Sequence, residues 1–439
     1  MEARTIVVWL TCGLVLGLAA SAAPAASDVL RAGAAKVEIT PNLKEFPSTS
    51  LGGFGERQGK PAQGVHDALY AHAVVLESGG ARVALVSTDL LVIPGGMKEA
   101  VVKKVADLGF SGDTVLLAAT HTHSAPEGMD PGGDAWPTAF GKFNRGLLDW
   151  TVAQIAESIR RAVASLQPAE VGFAAARLEG LNRNRRQTGE GRVDSTMTVM
   201  KVVGPGAKPI AVVVNFAAHP TIMGGSNFLI SADWPGAMTQ ALEKRMGAGV
   251  AVYFNGDQGD QTHAGDFGSG WERVERYGTA LAEKAWQLAQ GAKTSGDVAL
   301  RAHAITWDLP EQRLSPAFLA TTGQEYGAMA EQAGKLLAAL FPKQVRLQAV
   351  RVGDAVLMAV PGEEIAELGL AMRANASAAG AKDAMVIGLS NTYIGYILSP
   401  KQYELGGYEA GTSFYGPQLG DAIIAKMKEA VGAVFGGKP

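Results

Sequence analysis

Short apolar or β-branched runs, each followed by a longer helical pattern, constrain this chain more than any other feature. "ARVALVSTDLLVI", "DTVLLAATH", "PIAVVVNFAAH" and "GVAVYFNGD" precede helical patterns near Gly96–Leu108, Asn144–Leu166, Trp234–Met246 and Trp271–Gln290. Runs this short bury their faces by pairing into sheets, and the amphipathic helices between them bury theirs on those sheets, which argues for a layered α/β domain. "AEVGFAAARLEG", "STMTVMKVVG" and "DVALRAHAITWDLP" read as additional, partly antiparallel strands. The expected fold class is therefore α/β with mixed parallel and antiparallel sheets and flanking helices. Pro316–Ala339 reads as an Ala-rich helix, and "QVRLQAVRVGDAVLMAVPGE" as a hairpin turning at Gly353-Asp354. Helices over Glu364–Ala378 and in "YGPQLGDAIIAKMKEAVGAVF" complete the pattern. No repeat of 20 to 50 residues and no Pro/Ser-rich linker interrupts it, so residues 27–439 read as one large domain.

Residues 1–26 are set apart from that domain. An arginine near the start, an apolar run from Ile6 to Ala20 and small residues at Ala20, Ala22 and Ala26 read as an export signal, which places the mature protein in the periplasm or outside the cell. The run is shorter than the roughly 20 apolar residues a membrane span needs. Cys12, the single cysteine, lies within it. The mature chain then has no disulfide, no thiolate metal site and no cysteine nucleophile, so its chemistry must come from histidines, carboxylates, hydroxyls or a metal. A net charge of −3, without a basic stripe interleaved with aromatics, argues against a nucleic-acid partner.

The ends of the apolar runs carry the chemistry. "VLLAATHTH" ends in His121 and His123, "IAVVVNFAAHP" in His219, "VAVYFNGDQGD" in Asn255, Asp257 and Asp260, "AVLMAVPGEE" in Glu363, and "AMVIGLSNTY" in Asn391 and Tyr393. In layered α/β proteins, sites gather beyond the carboxyl ends of strands, where loops converge on a rigid frame. In an extended segment His121 and His123 would point to the same side, one toward a metal and one toward substrate. Two or three histidines with a carboxylate and no sulfur suit zinc with an open position, and Mn or Fe(II) would accept the same ligands. Taken singly, each element has a plainer reading. His-x-His pairs occur in loops, His219 can be a strand-end core residue, Glu363 can favour the N-terminus of the following helix, and Asp257 and Asp260 sit in a Gly-rich turn. Their joint placement favours the metal.

With these residues in view, the chain resembles the catalytic N-terminal domain of the neutral, non-lysosomal ceramidases. The resemblance runs in order through "RAGAAKVEITP", "LGGFGERQGKPAQGVHDALYAHAVVLES", "ATHTHSAPEG", "NFAAHP", "FNGDQGDQT", "VPGEE" and "NTYIGYILSPKQYELGGYEAGTSFYGP". It implies one zinc ion per chain, held by His121, His219, Glu363 and Tyr396, the second tyrosine of a Tyr-x-x-Tyr segment. It further implies that His123 and Tyr408 hold the substrate carbonyl. The family's Asn-Arg motif adds an arginine, for which "LNRNRRQ" offers Arg183 and the preferred Arg185. A family serine near the reacting carbonyl corresponds to Thr262, and His263 stands where the family has proline, so that turn must differ. The larger ceramidases carry a C-terminal immunoglobulin-like domain, whereas this chain ends at Pro439. The implied activity is zinc-dependent hydrolysis of the N-acyl amide bond of ceramide or a related N-acyl lipid, a small-molecule substrate met with transient contact at a membrane surface. The alternatives are a zinc hydrolase of the same fold acting on a smaller or more polar amide or ester, and an inactive lipid- or carbohydrate-binding protein.

Overall fold

The computed structural model describes residues 29–131, 141–324, 330–332, 334–335 and 341–436. Three sheets form its frame. The first pairs β1 (Arg31–Glu38), β2 (Tyr70–Ser78), β3 (Ala81–Thr88) and β4 (Val115–Ala119) in the order β4-β3-β2-β1, with a two-residue strand at the β1 edge. The second pairs β5 (Glu170–Arg177), β6 (Thr196–Val203), β7 (Pro209–Phe216) and β8 (Val250–Asn255) in the order β8-β7-β6-β5. The third pairs β9 (Leu300–Asp308), β10 (Gln344–Val352), β11 (Ala355–Ala359) and β12 (Asp383–Ile387) in sequence order. Each sheet contains a parallel pair, β3 with β4, β7 with β8 and β11 with β12, among antiparallel neighbours. The mixed α/β class expected from the run pattern is the one observed.

The runs are apolar throughout because both faces of each sheet are covered. Along β3, Val83 and Leu85 point into a shared inner core, while Ala84 and Val86 point outward against α1 (Met97–Val105) and α2 (Arg145–Ala164). In the second sheet, Val213 and Phe254 face inward, and Val214 and Tyr253 lie under α3 (Asp233–Met246) and α4 (Gly270–Gly291). Leu357 and Met385 of the third sheet face the same inner core, and Val356 and Val386 lie under α5 (Ala366–Ala378) and α6 (Leu419–Gly436). Three sheets thus share one interior, each with its own helices outside. Full burial of each large apolar side chain contributes about 1.5–3 kcal/mol, enough to make the register of every strand specific.

Local signals set the element ends. The Asn144 side chain accepts from the Leu147 N–H at 3.1 Å and caps α2. The β10–β11 hairpin turns at Gly353, whose φ of 62° suits glycine. Two expectations need adjustment. Glu363 and Glu364 form a two-residue strand parallel to Tyr396–Ile397, and α5 begins only at Ala366, where the Asp260 carboxylate accepts from the first helical N–H at 2.9 Å. Of the helix expected over Pro316–Ala339, residues 316–321 form turns, 322–324 a 3-10 turn and 330–332 with 334–335 are helical, while the rest lies outside the described residues, as does the segment read as an export signal. Among the described residues, no helix is long and apolar enough to cross a membrane.

The carboxyl ends of the three parallel pairs meet at one junction, fastened by Asn255. Its amide donates to the Thr120 and Ala218 carbonyls at 3.1 and 3.2 Å and accepts from the N–H groups of Ala218 and Gly256 at 3.3 and 3.0 Å. Its backbone carbonyl accepts from Gly388 N–H at 3.2 Å. One fully buried residue ties together segments leaving all three sheets.

Candidate active site

Four side chains from separate strand ends converge at this junction. His219 Nε2 lies 3.0 Å and His121 Nε2 3.1 Å from Glu363 Oε2, and the Tyr396 hydroxyl lies 3.3 Å from His219 Nε2. His121 follows β4, His219 follows β7, Glu363 follows β11 and Tyr396 lies on the strand paired with Glu363. His123 joins them, with Nε2 3.2 Å from His121 Nε2, so that the three histidines form a group whose ring nitrogens lie within 4.8 Å of one another. His121 reaches this position by an unexpected route. Its φ is 72°, so the backbone leaves the strand in a left-handed turn rather than continuing extended, at a cost of about 1–3 kcal/mol for a non-glycine residue.

The outer atom of each group fixes what the inner atom can do. His121 Nδ1 is 2.7 Å from the Leu91 carbonyl, His219 Nδ1 3.0 Å from the Gln261 carbonyl and His123 Nδ1 3.1 Å from the Gly53 carbonyl. A carbonyl only accepts, so each Nδ1 carries the proton and each Nε2 directs a lone pair inward. The Tyr393 hydroxyl donates to Glu363 Oε1 at 2.6 Å, while Glu363 Oε2 is buried and receives no hydrogen bond. Lone pairs therefore face one another at about 3 Å with no proton between them, an arrangement that a cation stabilises. Three nitrogen donors, a carboxylate and a phenol oxygen, without sulfur, match the ligand types of zinc.

The protonation states agree. Burial, with the closeness of His121 and His219 as the next cause, holds His123 well below its ordinary range, and burial with Arg185 lowers His219 to about 4. Burial works against Glu363, yet the neighbouring histidines hold its carboxyl well below the usual range. At neutral pH His123 and His219 are therefore neutral and the Glu363 carboxylate ionised, the forms that bind a metal. Burial pushes the Tyr396 phenol well above its ordinary value, and Arg185 opposes that. Arg185 Nη2 donates to the Tyr396 oxygen at 2.8 Å, and its Nε donates to Glu409 at 2.9 Å. Of the two candidate arginines, Arg185 reaches the cluster, whereas Arg183 is exposed on a short strand paired with Thr262.

A cavity of about 530 Å³ opens over the cluster. His121, His123, Glu363, Tyr396 and Tyr408 lie on its polar side, and Phe54, Leu91, Met129, Phe341 and Phe414 are among its apolar walls. The Tyr408 ring is 5.8 Å from that of Tyr396 and half exposed at the rim. Thr262, expected beside the reacting carbonyl, is not among the lining residues. Its strand is pinned by a bridge to His219 on one side and by the register with Arg183 on the other, which keeps it behind His219. Sequence reasoning missed Glu409, which fixes Arg185 and Arg186, and Arg57. The buried Arg57 guanidinium donates to the carbonyls of His123 and Gly52, both at 2.6 Å, and of Gly224 at 3.0 Å, holding the His123 loop in place. Glu409 adjoins Tyr408 and Arg57 lies in the quoted "GGFGERQG", but nothing in their spacing distinguishes buried anchors from surface charges. Asn255, Asp260 and Asn391, grouped with the metal-competent run endings, serve as hydrogen-bonding clamps: Asn391 Oδ1 accepts from Leu117 N–H on β4 at 3.2 Å.

A model of the neutral/alkaline non-lysosomal ceramidase N-terminal domain matches residues 30–267 and 322–425. The chain belongs to the neutral/alkaline non-lysosomal ceramidase family. As a family member it is a hydrolase. It is 26% identical to a neutral ceramidase of Mycobacterium tuberculosis over 88% of this chain and 75% of the relative. It is 25% identical to that of Pseudomonas aeruginosa over 91% of this chain and 72% of the relative. The crystal structure of the Pseudomonas aeruginosa neutral ceramidase superposes with a TM-score of 0.79 at 23% identity, covering 92% of this chain and 74% of that one. A ceramidase complexed with C2 gives 0.80 at 21% identity, covering 93% and 75%. These superpositions establish a shared ceramidase fold.

Proposed function

We propose that this ceramidase-family chain is an exported, zinc-dependent amidase that hydrolyses the N-acyl amide bond of ceramide or a close N-acyl lipid. The observation that carries the reading is the inward set of lone pairs on His121, His219, Glu363 and Tyr396, each oriented by a tied second atom or a donor behind it. Zinc held by such a set supplies Lewis-acid chemistry and an activated water at neutral pH. Arg185 favours the ionised form of Tyr396 and is itself steadied by Glu409. Tyr408 and His123 face the cavity, where the Tyr408 hydroxyl can donate to an amide carbonyl and the His123 Nε2 lone pair can take a proton from water and pass it to the departing nitrogen. The apolar walls exclude water and suit an alkyl chain. The export-type segment at residues 1–26 supports a location outside the cytoplasm.

The test is metal analysis joined to a substrate comparison. Purified protein should carry about one zinc per chain and hydrolyse a fluorescent ceramide faster than short N-acyl amides. His219→Ala should lose zinc and activity together. Full zinc occupancy in that variant would refute the ligand assignment, and a preference for short polar amides would move the substrate to a smaller class.

A further inference from the structure

Behind Glu363, on the side of the junction away from the cavity, Asp257, Gln258 and Glu364 are fully buried. None of their six polar side-chain atoms has a hydrogen-bond partner among the described residues: both oxygens of Asp257, both oxygens of Glu364, and the oxygen and nitrogen of Gln258. The backbone brings Gln258 and Glu364 together, and Asp257 is near enough to feel the charge of Glu364. Gly259 N–H donates to the Glu364 carbonyl at 2.9 Å, docking the Gly256–Asp260 loop on the strand that carries Glu363, and Gly388 N–H donates to the Asn255 carbonyl at 3.2 Å. Gly388 reports the convergence: a methyl group there would lie 2.7 Å from the Gly256 carbonyl oxygen, 2.9 Å from Gln258 Oε1 and 3.2 Å from Glu364 Oε2. A methyl on Gly369 would meet Asp257 Oδ2 at 2.1 Å.

Protonation relieves this arrangement only in part: a Glu364 O–H could donate to Gln258 Oε1, but two acids bring two protons to five unpartnered oxygens. Nor does a neighbouring side chain neutralise it. Arg373, the cation acting on Asp257, is already engaged by Asp194 at 2.8 Å, by Asn215 at 3.1 Å and by the Ala384 carbonyl. Two desolvated carboxylates left unpaired would cost several kcal/mol each.

We propose that Asp257, Gln258 and Glu364, with the Gly256 carbonyl, form a second, structural cation site that takes calcium. Two carboxylates able to bind through both oxygens, an amide oxygen and a backbone carbonyl provide up to six hard oxygen donors. Calcium accepts six to eight such ligands in irregular geometry, whereas magnesium usually retains several waters, for which a fully buried site has less room. The ion would staple the Gly256–Asp260 loop to the strand bearing Glu363. The donor chemistry separates the two sites: oxygen alone here, nitrogen-rich on the cavity side.

The experiment uses the whole mature protein. Metal analysis after exhaustive dialysis with zinc present should find about one calcium per chain beside the zinc, and added calcium should raise the Tm of chelator-treated protein by about 5 °C at a hundredfold excess over Kd. The double substitution Asp257→Asn with Glu364→Gln should abolish the calcium response and keep the zinc, whereas His219→Ala should lose the zinc and keep the calcium response, so failure at one site is distinguishable from failure at the other. Wild-type protein with no bound calcium and no shift in Tm, a shift with magnesium alone, or a calcium response surviving in the double variant would each overturn the proposal. If the double variant does not fold, the wild-type content and Tm response decide.

Discussion

Glu363 and Glu364 are neighbours on one two-residue strand, both buried, and they present opposite pictures. Glu363 has one oxygen held by Tyr393 and the other aimed at two histidine nitrogens, whereas neither oxygen of Glu364 has a partner. The same contrast separates the two sides of the junction. On the cavity side every candidate ligand is oriented through a second contact, so the protein itself sets the geometry presented to an ion and a substrate. On the inner side Asp257, Gln258 and Glu364 have no such second contact, so the proposed calcium would have to orient them. One side is built to bind and react, and the other to be held.

The variant that strains both sides at once should have the largest effect. Asn255→Asp keeps the shape but turns a donor toward the Thr120 and Ala218 carbonyls into a charged acceptor, with no water to relieve it. We expect a loss of about 3–5 kcal/mol in unfolding free energy, in the range for an uncompensated buried charge, read from urea denaturation as a lower midpoint with an unchanged slope. A change below about 1 kcal/mol would show that the three sheet ends are fastened elsewhere.

Tyr408→Phe probes the cavity side alone. Its ring is half exposed and stacks edge-on with Tyr396, so loss of the hydroxyl should leave the fold and the zinc unchanged while kcat falls on the order of 10²-fold, the effect of removing a donor to a developing oxyanion. An unaltered kcat would reduce Tyr408 to a rim residue that only packs. Arg185→Gln should act one step further back. Without the guanidinium, Tyr396 loses the neighbour that opposes the upward push of burial, and metal affinity or activity should fall about 10–100-fold, as for other residues that orient a ligand. Retained zinc affinity together with retained kcat would remove Arg185 from the site.

The division between what the chain reveals and what it conceals follows the same two sides. The apolar runs disclose the strands because both faces of each sheet are covered, and their polar endings disclose the junction because side chains there must serve something other than a core. Legibility ends where a side chain's second atom decides its role. Asn255 and Glu363 both end apolar runs, yet one is a clamp and the other points a bare oxygen at the histidines, a difference set by partners more than 100 residues away. His121 joins the cluster through a left-handed turn rather than the extended segment its spacing suggests, since a φ of 72° leaves no mark on a His-x-His pattern. Asp257 and Gln258 look like any Gly-rich turn. Only three-dimensional burial shows that this turn is closed off from water, and therefore that its polar atoms require an explanation.

Thr262 sharpens the comparison from the other direction, because it lies next to the site in sequence and structure while belonging to neither side. Its neighbour Gln261 supplies the carbonyl that fixes His219, and its own backbone bridges to His219, so the strand matters to the site. The side chain is a separate question. It is not among the described residues that line the cavity. Thr262→Val keeps the β-branched shape that the strand and the bridge require and removes only the hydroxyl. We expect kcat/KM to stay within about twofold of wild type, corresponding to roughly 0.4 kcal/mol, with zinc content unchanged. Should Thr262→Val instead slow ceramide turnover a hundredfold at full zinc occupancy, the hydroxyl must reach the reacting carbonyl when substrate is bound. The strand would then have to shift on binding, and the cavity side of the junction would be less rigid than its tied second atoms imply.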